Sequence, residues 1–185
     1  MPFKFKRLAI PDAFLIKPKV FADDRGFFLE TYKKDDMQKA GVDAEFVQDN
    51  HSRSERGVLR GLHFQKEPYA QAKIVRCTRG VIYDVLVDLR RRSPTFSRYL
   101  GVVLSEENRD MIYVPRGCAH GFLVLSDIAE VVYKVDNVYA PECEGGLVWN
   151  DPEVSISWPV QDPVISERDR LWPTLEELVR EDDLF

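Results

Sequence analysis

Histidine and cysteine are both scarce in this chain of 185 residues, which has three of each. Cys77, Cys118 and Cys143 are an odd number at wide spacing, with no Cys-x-x-Cys pair. That pattern argues against a disulfide framework or a zinc ribbon and makes a reducing cytoplasm the expected location. A metal site needs several His, Cys, Asp or Glu ligands together. His51, His63 and His120 are isolated, and Gln65 stands where an His-x-His pair would place its second ligand, so neither metal nor other cofactor is expected. Long apolar runs are also missing. The first fourteen residues lack the apolar stretch of a secretory signal, and no segment approaches the ~20 apolar residues of a spanning helix. Neither common Gly-rich phosphate motif occurs. Basic charge is not in excess: Lys and Arg number 26 against 31 Asp and Glu, a net charge of −5. Nucleic acid and anionic membrane are therefore poor candidates as partners, although a locally basic pocket for a small anion remains compatible.

What is present suits a globular fold, with 44% hydrophobic and 31% charged residues. With no repeat and no low-complexity linker, residues 1–185 read as one domain. Val81, Tyr83, Val85, Val87 and Leu89 alternate with Ile82, Asp84, Leu86 and Asp88, the clearest strand pattern in the chain. Similar patterns predict strands over 14–21, 26–32, 44–52, 58–65, 72–79, 99–104, 111–114, 120–125 and 129–135. Turn signals such as Asp23-Asp24-Arg25-Gly26 and Pro115-Arg116-Gly117 separate them. Helical pattern is confined to 33–40 and 174–180, the second with Thr174 as N-cap and Glu177 three residues on. Short strands without crossover helices predict an all-β sandwich or barrel with short peripheral helices.

Polar side chains concentrate in Gln48-Asp49-Asn50-His51-Ser52 and Arg60-Gly61-Leu62-His63-Phe64-Gln65. Period two gives Gln48, Asn50 and Ser52 one face, either lining a filled site or exposed on an edge strand. Arg60 and His63 have opposite parity. A regular strand separates them, whereas a bulge at Gly61 would bring them together. Lys73 shares a face with Val75 and Cys77, so it is either buried for a purpose or snorkels from the strand end. Asp84 alternates with Ile82 and Leu86 as an internal carboxylate partner or a solvated residue. Tyr133 lies between Val131 and Val135, as a core tyrosine would. His120 is framed by Pro115, Gly117 and Gly121, a turn that either aims the imidazole or gives it no role.

These segments, read in order, resemble a known family. The blocks are Pro18-Lys19-Val20-Phe21, Asp24-Arg25-Gly26-Phe27-Phe28 with Glu30, Phe46 through Ser52, Val58 through Gln65, Asp84 through Asp88, and Ser93-Pro94-Thr95-Phe96. Pro115 through Phe122, Tyr133-Lys134, Tyr139-Ala140-Pro141, Trp149-Asn150-Asp151-Pro152 and Ser166-Glu167-Arg168-Asp169 complete them. The chain is similar to the sugar-nucleotide 3,5-epimerases of the cupin superfamily, in particular the dTDP-4-dehydrorhamnose 3,5-epimerase family.

The resemblance implies a cupin-type jelly-roll barrel, a homodimer sharing N-terminal strands, and a segment 160–185 packed outside the barrel. It implies a cofactor-independent enzyme of dTDP-L-rhamnose biosynthesis that converts dTDP-4-dehydro-6-deoxy-D-glucose to dTDP-4-dehydro-L-rhamnose. C3 and C5 both flank the C4 ketone, so each needs a base on one ring face and an acid on the other, with the enolate stabilised between them. By family position His63 is the base, Asp169 the carboxylate that orients it, Tyr133 the opposite proton donor, and Lys73 the oxyanion stabiliser. Arg60, His120 and Arg168 match substrate or diphosphate contacts. Arg25, Phe28, Glu30, Gln48, Asn50, Tyr139 and Glu144 match nucleotide- or sugar-binding positions, with Tyr139 stacking on thymine. Two departures stand out: Val138 where relatives often carry tyrosine, and Arg168 where lysine is usual. Rival readings are a one-carbon epimerase, a sugar-binding cupin module without turnover, and a metal-dependent cupin enzyme. Binding alone needs no opposed acid and base, so His63, Asp169, Lys73 and Tyr133 together favour a catalyst.

Overall fold

The strand alternation produces two antiparallel sheets in the computed structural model, which describes all residues except Met1, Asp43 and Asp183. One sheet runs in the order β1 (Phe3–Arg7), β2 (Phe14–Pro18), β10 (Met111–Val114), β7 (Lys73–Arg79), β12 (Ile128–Val135) and β5 (Gln48–Glu55). The other runs β13 (Glu144–Gly146), β6 (Leu59–Gln65), β11 (Cys118–Val124), β8 (Val81–Asp88) and β9 (Tyr99–Ser105). β3 (Val20–Asp23) and β4 (Gly26–Leu29) form a separate two-stranded ribbon. The fold is all-β, and no helix among the described residues is long and apolar enough to cross a membrane.

Period two decides which residues enter the space between the sheets. Val75, Cys77, Ala129 and Val131 from the six-stranded sheet meet Ile82, Leu86, Leu104 and Phe122 from the five-stranded one. The alternate residues face outwards and need covers of their own. Ile74 and Met111 join Phe3, Phe14 and Met37 of helix α1 (Lys34–Ala40) on one side. Val85 and Val87 lie under Leu175 and Leu178 of helix α3 (Leu175–Arg180) on the other. The predicted capping box is present: Glu177 N–H donates to the Thr174 hydroxyl, and the Glu177 carboxylate accepts from Thr174 N–H at 2.8 Å.

Several elements differ from the sequence reading. β1 is absent from the sequence reading; its Phe-Lys alternation becomes a strand by pairing along its whole length with β2. The predicted strand 14–21 divides into β2 and β3. The segment 44–52 turns extended pairing on only at Gln48, where β12 supplies a partner. The segment 160–185, expected outside the barrel, itself divides. α3 covers the outer face, but Val164 bridges to Val58 and its carbonyl accepts Leu59 N–H at 2.9 Å. That pairing carries helix α2 (Glu167–Arg170) to the mouth of the barrel.

Candidate active site

The barrel interior stops being apolar at one end. There Gln48, Asn50, Ser52, Lys73 and Tyr133 of the six-stranded sheet and Arg60, His63 and His120 of the five-stranded sheet line a cavity of about 790 Å³. The volume falls in the usual range for ligand sites, roughly 300–1,000 Å³. Tyr139, Glu144, Ser166, Arg168 and Asp169 close its rim.

A bulge places Arg60 and His63 on the same wall. His63 pairs with His120 and Arg60 with Phe122, so Gly61 and Leu62 together oppose the single residue Gly121. Gly61 has φ +129°, and a Cβ there would lie 2.6 Å from the Gly121 Cα. The two backbones approach too closely for any side chain at either position. The parity conflict between Arg60 and His63 is thereby resolved.

His63 Nε2 lies 2.8 Å from Asp169 Oδ1, across 106 residues of sequence. Ser166 caps α2 by accepting Asp169 N–H at 3.1 Å, which fixes where the carboxylate projects. Gly61 N–H donates to Asp169 Oδ2 at 3.2 Å and Trp172 Nε1–H to Oδ1 at 3.4 Å. Burial pushes the Asp169 carboxyl up, but hydrogen bonds and charge from His63, Gly61 and Trp172 outweigh it and hold the group below the ordinary carboxylate value. With an ionised acceptor at Nε2, neutral His63 carries its proton there and its lone pair on Nδ1. His63 remains about a quarter exposed (27%) while Asp169 is buried (5%), so the ring is the more open of the two to a ligand.

A second histidine–carboxylate pair lies beside the first. His120 Nε2 is 2.9 Å from Asp84 Oδ2, both residues buried. Lys73 is 8% exposed, and its Nζ donates to the His63 carbonyl at 3.4 Å. Burial lowers its pKa to about 8, against the pull of Asp84 and Glu144 towards the charged form. Desolvation raises the Tyr133 phenol, with Arg60 opposing and Glu144 reinforcing the rise. Arg60 is held by donating Nε–H to Ser54 at 2.8 Å.

At the rim, Tyr139 Oη donates to Glu144 Oε2 at 3.0 Å, and Arg168 Nη1 donates to the same oxygen at 3.0 Å. Gln48 accepts Tyr139 N–H at 3.2 Å and donates to Asn50 Oδ1 at 2.9 Å. Gln65, Gln71, Trp172 and Ser166 escaped the sequence reading as site residues. Gln65 shares the parity of His63, which was the available signal; nothing local points to Trp172. Arg25, Phe28 and Glu30 are not among the residues lining this chain's cavity. Arg25 lies in the turn of the β3–β4 ribbon, Phe28 on β4 with 65% exposure, and Glu30 just beyond it.

Chemically, the cavity opposes an imidazole with a free lone pair to a phenol on the facing sheet, with a buried ammonium between hydrogen-bonding walls. Among the described residues, no three His, Cys, Asp or Glu side chains converge as metal ligands. Residues 7–177 match the family model described as dTDP-4-dehydrorhamnose 3,5-epimerase. The chain belongs to that family. The Pseudomonas aeruginosa dTDP-4-dehydrorhamnose 3,5-epimerase is 56% identical over 169 residues, covering 90% of this chain and 93% of that protein. The Bacillus anthracis enzyme of the same name, crystallised with TDP and PPi, superposes with a TM-score of 0.91 at 47% identity, covering 93% of this chain and 99% of that one. The Legionella pneumophila dTDP-6-deoxy-D-glucose-3,5-epimerase, solved with dTDP-4-keto-L-rhamnose, gives 0.93 at 40% identity over 98% and 97%. The barrel of this epimerase-family chain is accordingly cupin-like.

Proposed function

We propose that this protein is a dTDP-4-dehydrorhamnose 3,5-epimerase, an isomerase that inverts C3 and C5 of dTDP-4-dehydro-6-deoxy-D-glucose. The observation that carries the proposal is the opposition, across one cavity, of His63 on one sheet, held by Asp169 of α2, and Tyr133 on the other sheet. The C4 ketone acidifies the hydrogens on both neighbouring carbons. His63 Nδ1 takes the proton, Asp169 stabilises the resulting imidazolium, and Tyr133 returns a proton to the opposite face of the enolate. A phenol raised above its ordinary value stays protonated at neutral pH and suits a strongly basic carbanion. Lys73 stabilises the oxyanion at C4, and the walls exclude water that would weaken it. His120, fixed by Asp84, contacts the sugar. Arg60 and Arg168 bind the diphosphate, for which a guanidinium fork is better shaped than an ammonium. Gln48, Asn50, Tyr139 and Glu144 hold the nucleotide end, with Tyr139 stacked on the base.

The placement of Arg25, Phe28 and Glu30 off their own cavity supports a homodimer in which each ribbon completes the site of a second copy. Phe21, Phe27 and Phe28 leave 47%, 56% and 65% of their surfaces exposed on that small ribbon, an apolar area that a partner would cover. The half-buried, unpaired Cys143 thiol fits the cytoplasm.

The test is incubation with dTDP-4-dehydro-6-deoxy-D-glucose in deuterated water, following both carbons by NMR. The expected product is inverted and deuterated at C3 and C5. Label at a single carbon would make the protein a one-carbon epimerase, and bound but unlabelled sugar would make it a binding module.

A further inference from the structure

Gln65 touches no titrating group of the proposed reaction, yet it is buried (4% exposed) on the strand that carries His63. A side-chain amide offers two N–H donors and a carbonyl acceptor. Gln65 uses all three on main chain: Nε2 donates to the Tyr69 carbonyl at 2.7 Å and the Val138 carbonyl at 3.1 Å, and Oε1 accepts Ala140 N–H at 2.9 Å. Val138 and Ala140 flank Tyr139 on both sides. Other side chains tie this rim at single points. The bonds of Gln48 to Tyr139 N–H and of Glu144 to the Tyr139 hydroxyl lie on the exposed side, and Gln71 Nε2 reaches the Asn137 carbonyl at 2.8 Å one residue before Val138. Tyr139 itself is 52% exposed, so little packing holds its ring.

We propose that Gln65 is a positioning residue that locks the 138–140 rim, and with it Tyr139, at a fixed reach from His63. The strand sets the spacing: His63 and Gln65 point to the same side two residues apart, so the base and the anchor of the nucleotide wall share one rigid element. Only an uncharged amide satisfies two carbonyls and an N–H at once. This inference rests on the epimerase reading, since it takes Tyr139 to be the wall for the base of dTDP.

The experiment measures dTDP affinity by calorimetry, with kcat and KM, for Gln65→Met alone and combined with Tyr139→Ala. Gln65→Met keeps the length of the side chain and removes the three bonds. Dissociation constant and KM are expected to rise about tenfold with kcat within about threefold, because the wall is misplaced while the chemistry is intact. On the Tyr139→Ala background the same change should weaken dTDP binding less than about twofold, because both act through one ring. Unchanged dTDP affinity in Gln65→Met, or the full tenfold loss repeated without Tyr139, overturns the proposal. If Gln65→Met does not fold, Gln65→Glu keeps the acceptor for Ala140 and loses both donors when ionised. Its affinity deficit should be larger at pH 8 than at pH 5, where protonation restores a donor; a deficit that does not change with pH refutes the role. Wild-type protein that binds no dTDP overturns the epimerase reading together with this inference. Wild type that binds and epimerises while Gln65→Met matches it overturns the inference alone.

Discussion

Replacing Lys73 by methionine should make the protein more stable and much less active. The Lys73 ammonium is buried between the sheets, and desolvation brings its pKa from 10.5 to about 8 even though Asp84 and Glu144 favour the charge. That difference corresponds to about 3 kcal/mol against the charged form. An unfolded lysine keeps its proton up to about 10.5, the folded one only to about 8, so between these values the unfolded chain binds more protons. Stability therefore rises with pH across that window, and the full penalty is present below pH 8. Lys73→Met removes it, so urea unfolding at pH 7 should show a gain of up to about 3 kcal/mol, a figure that already includes the attraction of Asp84 and Glu144. The gain should close as pH approaches 10.5. Activity should move the other way. Losing one preorganised group at a developing oxyanion typically lowers kcat about 10²–10³-fold. In the wild type, kcat/KM should fall as pH rises through about 8, where the free protein loses the ammonium. A variant less stable than wild type at pH 7, or a wild-type profile flat from pH 7 to 9, would refute the reasoning.

Asp169→Asn should lower kcat about 10³-fold with KM nearly unchanged. An amide that accepts from His63 turns its NH₂ on Gly61 N–H, and one that avoids this forces the imidazole lone pair onto Nε2, away from the substrate; steady-state kinetics showing less than a tenfold fall in kcat would remove Asp169 from the mechanism. If the ribbon completes a second copy's site, refolding Arg25→Ala and His63→Ala chains together should recover about a quarter of wild-type activity from two inactive parents, since half the dimers then hold one intact site. No recovery in mixtures that sedimentation shows to be dimeric would put Arg25 back on its own chain.

The residues that were legible are those whose neighbours along one strand define them. The alternation around Asp84 and the Lys-x-Val-x-Cys pattern at Lys73 already marked polar groups on an apolar face, and both point into the barrel. Gln48, Asn50 and Ser52 shared a face by period two, although periodicity left open whether that face was inside. Arg60 and His63 were ambiguous for a physical reason: the bulge is a relation between β6 and β11, fixed by the contact of Gly61 with Gly121, and parity within β6 alone gives the opposite answer. Asp169 was reachable only through resemblance, because its bond to His63 closes 106 residues. Gln65 occupies the second position of a His-x-His spacing, and its three bonds depend on segments containing Tyr69, Val138 and Ala140 that no local pattern brings together. Arg25, Phe28 and Glu30 are legible as a ribbon and its turn, but a single chain does not bring them to the cavity.

The central claim is that His63 and Tyr133 act on opposite faces of the sugar. Tyr133→Phe assayed in deuterated water tests it most directly, with label and configuration at C3 and C5 read by NMR. His63 should still remove and return protons on its own face, so deuterium should enter with retained configuration while inverted product falls about 10²–10⁴-fold. Inverted product formed at the wild-type rate by Tyr133→Phe would contradict the account.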